Sequence, residues 1–167
     1  AAFFHGLSTQ ASATVYVATT ARTGRRLYQV RGKTYRLVLQ PPLKFFGAVE
    51  VDAYGSKVRM AEPEKTVVDA LDRPEYAGDI PEIAGMLQRG QGRLDWNTVA
   101  TYGLRFESQA LIQRLGYLLD FLQLPVVRQA RDLLLSGIGK STPYLGRPGQ
   151  WGTGGAYNAT WRIVDNV

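Results

Sequence analysis

The chain has 167 residues, a formal net charge of +6 and 45% hydrophobic residues, the size and composition of one soluble globular domain. It has no cysteine, which excludes disulfides, thiolate nucleophiles and cysteine-held zinc or iron–sulfur centres. No apolar run approaches the roughly 18–20 residues that span a bilayer, and residues 1–20 lack the basic start and apolar core of a secretion signal, so a cytoplasmic protein without a membrane partner is expected.

Residues 1–7 read as the end of a helix stopped by Gly6, its earlier part lying outside the chain. Residues 13–20 (Ala-Thr-Val-Tyr-Val-Ala-Thr-Thr) are β-branched and alternating, the mark of a strand. Thr23-Gly24 marks a turn, 27–30 a short strand, and Gly32-Lys33 a turn into a strand over 34–39. Pro41-Pro42 breaks that strand. Residues 48–53 and 57–60 flank Tyr54-Gly55-Ser56, the pattern of a hairpin.

After Glu62 the pattern turns helical. Pro63 suits a first helical position, Glu62 and Glu64 face the positive end of the dipole, and Val67, Val68 and Leu71 give an apolar face over 63–73. Arg73-Pro74 closes this helix. Further helices are expected at 81–89, at 95–103 with Asp95 as cap, and at 108–123 with Ser108 as cap. On that last helix Leu111, Leu115, Leu118, Leu119 and Leu122 share a face. Another runs over 126–135 to Gly137, and residues 160–164 read as a last strand. Strands followed by helices predict a single α+β domain over 1–167. Its parts are an N-terminal antiparallel or mixed sheet, a helical C-terminal half, and a last strand near the C-terminus.

The search for chemistry assigns no catalytic residue, metal or cofactor. His5 is the only histidine and sits beside two phenylalanines, where a packed or surface role is expected. Gly139-Lys140-Ser141-Thr142 lacks the earlier glycine of a phosphate-binding loop and is followed by Pro143. Gly152 to Gly155 reads as a loop. Asp69 and Asp72, three apart on one helix, could reach one cation with Asp52 or Glu64, the basis of an alternative metal-dependent nuclease reading. The simpler expectation is pairing with Lys65 or Arg73. Asn158-Ala-Thr160 matches a glycosylation sequon by chance in a cytoplasmic protein. A third reading is a dimerisation domain built on the 108–135 helical pair.

Charge is unevenly spread. Residues 1–49 hold seven basic residues and no acid, 50–82 hold nine acids against four bases, and 83–167 hold nine bases against five acids. Arg22, Arg25, Arg26, Arg31, Lys33 and Arg36 are interleaved with Tyr28 and Tyr35. Such a segment can follow a phosphate backbone while rings stack on bases, or guard a sheet edge against aggregation.

Four stretches carry a family resemblance. They are His5-Gly-Leu-Ser8, then Glu62-Pro-Glu-Lys-Thr-Val-Val-Asp-Ala-Leu-Asp-Arg-Pro-Glu-Tyr-Ala-Gly78, then Gln113-Arg-Leu-Gly-Tyr-Leu-Leu-Asp120, and Tyr157-Asn-Ala-Thr-Trp-Arg162 with Val164-Asp-Asn166. In this order they resemble the C-terminal domain of AbiEi-type antitoxins, from bacterial abortive-infection (type IV) toxin–antitoxin systems of phage defence. The second stretch is the most specific, with Glu62 in place of the usual Ser or Thr and Asp79 in place of a second glycine. The resemblance implies a non-enzymatic antitoxin and transcriptional regulator without cofactor. Its partners would be a nucleotidyltransferase-like toxin, RNA, or operator DNA bound mainly by an N-terminal winged helix–turn–helix that these residues do not include. It marks Pro63, Glu64, Thr66, Asp69, Asp72, Arg73, Pro74, Asn158 and Trp161 as signature residues of mainly structural role. The six basic residues of the first sheet are the expected partner-binding surface.

Overall fold

The strands come first, and they lie outside the core. The computed structural model describes residues 1–53 and 55–167. β1 (Thr14–Thr19), β2 (Leu27–Val30) and β3 (Lys33–Leu39) form a mixed sheet in the order β1-β3-β2. β3 runs parallel to β1 and antiparallel to β2. The β2–β3 turn falls on Arg31 and Gly32, one residue earlier than the expected Gly32-Lys33, because Lys33 already pairs with Val30. Both turn residues have positive φ, 48° and 74°, as a two-residue type I′ hairpin requires. β4 (Ala48–Ala53) and β5 (Ser56–Ala61) pair antiparallel, with Ala53 opposite Ser56. The expected turn between them includes Tyr54, which lies outside the described residues.

Five helices follow: α1 (Pro63–Asp72), α2 (Asp79–Gly90), α3 (Trp96–Arg105), α4 (Gln109–Phe121) and α5 (Arg128–Ser136). The single turn α6 (Pro148–Trp151) and the pair β6 (Ala156–Asn158) and β7 (Ile163–Asp165) complete an α+β fold. The apolar faces read from the sequence make the core. Val67, Val68 and Leu71 of α1 meet Ile83 and Leu87 of α2, Val99 of α3, and Leu111 and Leu115 of α4, all inaccessible to solvent. Outside the core, Phe121 and Val127 are exposed on the α4–α5 pair. Among the described residues from Ser8 to Glu64, none is buried.

Helix ends follow their caps. Pro63 opens α1, Asp95 accepts a hydrogen bond from Asn97 N (3.0 Å) ahead of α3, and Ser108 accepts one from Leu111 N (3.4 Å) ahead of α4. α2 begins earlier than Pro81, at Asp79, after two residues of positive φ, Gly78 at 85° and Asp79 at 68°. A left-handed backbone favours glycine at both places. Aspartate is tolerated there and is anchored: its carboxylate accepts Ile80 N (2.9 Å) and Arg147 Nη2 (2.9 Å).

The chain's two ends are tied in by side chains. Residues 2–6 form hydrogen-bonded turns that end at Gly6 with φ 65°. Arg89 donates to the Leu7 carbonyl (2.7 Å) and Arg93 to those of His5 and Gly6. His5 Nε2 lies 2.7 Å from the Ala61 carbonyl oxygen, a packing role. At the other end, the strand expected over 160–164 is a turn followed by β7 over 163–165. The reason is Trp161, which is drawn into the core. Its backbone N–H donates to Asn158 Oδ1 (2.9 Å), closing an Asx-type turn, and its Nε1–H donates to Asp120 (2.7 Å).

Asp120 also accepts from Arg131 through Nε (3.2 Å) and Nη2 (2.8 Å). Desolvation would raise this carboxyl. The bonds from Arg131 and Trp161 outweigh it and hold the group below the usual carboxylate range. A depressed native value stabilises the fold above the ordinary Asp value of about 3.9, and the gain is lost as pH falls through the lower native value. Asp120→Asn is therefore expected to destabilise at neutral pH and to shallow the acid-unfolding limb. Urea midpoints measured across pH check this; an unchanged acid limb would refute it.

Candidate nucleic-acid interface

Sheet topology distributes the six expected basic residues. β1 ends beside Leu39, so the loop over 20–26 must pass the C-terminal end of β3 before β2 opens opposite Arg36. That connection places Arg22, Arg25 and Arg26 at one end of the sheet. Arg31 and Lys33 lie at the other end, on the β2–β3 turn, roughly 13 Å away by strand rise. Arg36 sits mid-strand between them. All six are exposed. Among the described residues none of the six makes an ion pair, whereas eight of the cations from Lys44 onward do.

The two faces of the sheet differ. On one, Val15, Tyr35 and Tyr28 form a row across the three strands. The Arg25 guanidinium lies 5.1 Å from the Tyr28 ring centroid, and its Nε–H donates to the Leu27 carbonyl (2.8 Å). On the other face Tyr16 is the cross-strand partner of Arg36. Both meet Tyr76, whose ring stacks on Tyr16 at 4.8 Å and lies under the Arg36 guanidinium at 5.4 Å. Tyr76 belongs to a 3-10 turn over Pro74–Tyr76. The Arg73-Pro74 break that ends α1 thus turns the chain so that Tyr76 docks on the sheet. Between them lies a cleft of ≈ 160 Å³, with Arg26, Arg36, Arg73 and Tyr76 around residues 37–39 of β3.

Residues of α1 join it to the segment that follows β3, to β5 and to the start of α3. Glu64 accepts from Asp95 N (3.1 Å), and Thr66 Oγ1 donates to the Ala61 carbonyl (3.3 Å). Lys65 is only 2% exposed. Its Nζ lies 2.5 Å from Asp69 Oδ1, and 5.2 and 4.7 Å from the centroids of Phe46 and Phe106. Gln40, just after β3, donates to Asp69 (3.1 Å), and Lys44 to Asp72 (2.7 Å). Desolvation raises the Asp69 carboxyl, and Lys65 and Gln40 only partly oppose it. Glu62 accepts from the Tyr102 hydroxyl, which this bond pushes up to about 12.

Asp69 therefore pairs with Lys65 as the spacing suggests. Asp72 takes Lys44 as its close partner, with Arg73 at 3.8 Å. Asp52, on β4 opposite Lys57, lies on the separate hairpin. Among the described residues no three His, Cys, Asp or Glu side chains converge as metal ligands would.

No family model, curated protein or solved structure matches this chain. The chemistry of the cleft is readable from its own side chains. Three of its lining residues are arginines, whose guanidinium carries donors in a fixed fork, the geometry that recognises oxyanions. Two of them, Arg26 and Arg36, lie on the expected basic segment. Arg73, Tyr76 and Tyr16 were not marked as binding residues in the sequence. The available signal was Pro74, which fixes the direction of the chain two residues before Tyr76.

Proposed function

We propose that this chain is a non-enzymatic antitoxin and regulator domain of the AbiEi type, acting in the cytoplasm through nucleic-acid phosphates held by its first sheet. One observation carries the reading. The sheet's six exposed cations have no carboxylate partner among the described residues, while eight of the fourteen cations from Lys44 onward lie within ion-pair distance of one. Exposed guanidiniums without acids suit bidentate phosphate contacts. The toxin counteracted is a nucleotidyltransferase-like enzyme. The nucleic acid is an RNA that such an enzyme modifies or the flank of the operator, whose base-specific reading belongs to a winged helix–turn–helix outside these residues. The signature residues support this surface by docking it: Asp69 and Asp72 receive Gln40 and Lys44 from the segment that follows β3.

Growth rescue tests the reading. The chain is co-expressed with the nucleotidyltransferase-like toxin encoded beside it, and survival is compared with an empty vector. The expected result is rescue, lost when Arg22, Arg25 and Arg26 are all replaced by alanine, with a melting temperature that barely moves. Full rescue by the triple variant would overturn the site. Failure of the folded wild-type chain both to rescue and to bind nucleic acid would overturn the function.

A further inference from the structure

The cleft between β3 and the turn that carries Tyr76 is a different kind of feature from the open sheet. Its three arginines come from three separate segments: the residue before β2, the middle of β3, and the C-terminal end of α1. Two of them are positioned. Arg36 rests on Tyr76, which is itself stacked on Tyr16. The Arg26 carbonyl accepts Leu37 N (2.8 Å), which continues the β2–β3 ladder by one step and fixes its backbone beside the cleft. Arg73 follows the last turn of α1, its N–H donating to the Asp69 carbonyl (3.1 Å). Its guanidinium lies 3.8 Å from Asp72 and from Glu75, looser than the 2.7–2.9 Å of a strong charge-assisted bond. The cleft thus gathers three arginines, of which only Arg73 has carboxylates, Asp72 and Glu75, within ion-pair distance.

Shape selects among phosphates. A phosphodiester inside a strand continues through both ester oxygens and needs a groove open at two ends, with one charge to neutralise. A terminal phosphomonoester has three free oxygens and about −1.5 to −2 charge at neutral pH, and it can enter a recess walled on one side. Residues 37–39 and Tyr76 supply that wall. We propose that this cleft holds the terminal phosphate of a nucleic-acid strand, with Arg26, Arg36 and Arg73 on its oxygens. The inference rests on the nucleic-acid reading above and adds to it an end-specific site; Arg26 serves both, and the other sheet cations follow the backbone.

The test uses the full chain and one single-stranded oligoribonucleotide made in three forms: 5′-phosphate, 3′-phosphate, and hydroxyl at both ends. Fluorescence anisotropy is expected to show about tenfold tighter binding of one phosphorylated form than of the hydroxyl form, the size of effect given by charge-assisted bonds. Which form gains identifies the end recognised. Arg73→Gln is expected to abolish the preference while leaving binding of the hydroxyl form nearly unchanged. Arg26→Gln, on a different segment, should likewise abolish the preference, read as the ratio of the two affinities, while the hydroxyl form weakens by the one backbone contact that Arg26 supplies; a folding defect in one variant leaves the test intact. Equal binding of all three forms by the wild type would overturn the cleft assignment and leave the sheet as a general phosphate surface. A preference that survives in both variants would also overturn it. No binding of any form would overturn the cleft and the nucleic-acid reading together.

Discussion

Replacing Gly116 with alanine is expected to lower the melting temperature by roughly 6–12 °C, from a loss of about 3 kcal/mol in a chain of this size. Alanine is the better helix former by about 1 kcal/mol in a helix interior, so propensity alone predicts the opposite sign. The neighbour decides. A Cβ on Gly116 would lie 2.1 Å from a carbon of the Trp161 ring. That ring is buried, hydrogen-bonded to Asp120, and held on a turn capped by Asn158, so it has nowhere to retreat. Trp161→Leu in the Gly116→Ala background should remove the clash, and the double variant should lose less stability than the two single losses combined. Simple additivity in thermal or urea unfolding would show that the ring and the glycine do not meet as described.

Lys65→Met is the second large effect, a loss of about 3–5 kcal/mol near neutral pH. The ammonium is buried between two phenylalanine rings and is the close cation on Asp69. Removing it leaves a largely desolvated carboxylate with Gln40 alone. The penalty should depend on pH in a defined direction. The Asp69 carboxyl is already raised by desolvation, and loss of Lys65 raises it further. A raised native value means that ionisation costs stability: the cost is absent below the ordinary Asp value and grows as pH rises through the native one. The variant should therefore be closer to wild type at about pH 4 than at about pH 7. Lys65→Met with Asp69→Leu should recover most of the loss, since no charge is left unpaired. A penalty independent of pH, or a double variant no better than the single, would count against a buried ion pair.

Both effects show where sequence reasoning stops. The apolar stripe of Leu111, Leu115, Leu118 and Leu119, the caps Asp95 and Ser108, and the Arg73-Pro74 break were legible because periodicity and capping are local. Gly116 was visible as a glycine within a resembling stretch, yet the ring that needs its space lies some 45 positions later and is brought there only by the tertiary fold. Lys65 was legible as an i,i+4 partner of Asp69, but its burial was not. Its burial follows from Phe46 and Phe106, which arrive from a loop and a helix end. Asp79 stood in for a glycine with no visible reason until its φ was known. The strands were legible as strands, but nothing local told that β1 to β5 leave none of their described residues buried, whereas Ile163 of β7 enters the core. The parallel pairing of β1 with β3, and with it the split of the six cations between two ends of the sheet, depends on how the loop over 20–26 crosses. No short-range pattern encodes that crossing. The cleft is the clearest case: Arg26 and Arg73 are 47 positions apart in the chain, and with Arg36 and Tyr76 they line one cleft.

A sheet that grips phosphates must bind nucleic acid in a salt-dependent way. The direct measurement is the affinity for a single-stranded oligonucleotide as a function of salt, in the wild type and in the variant with Arg22, Arg25 and Arg26 replaced by alanine. Each phosphate contact on a single strand contributes about −0.7 to the slope of log affinity against log salt. Loss of three contacts predicts weaker binding and a slope shallower by about 2, with unfolding of the protein unchanged. An identical slope and affinity in the two proteins would contradict the account.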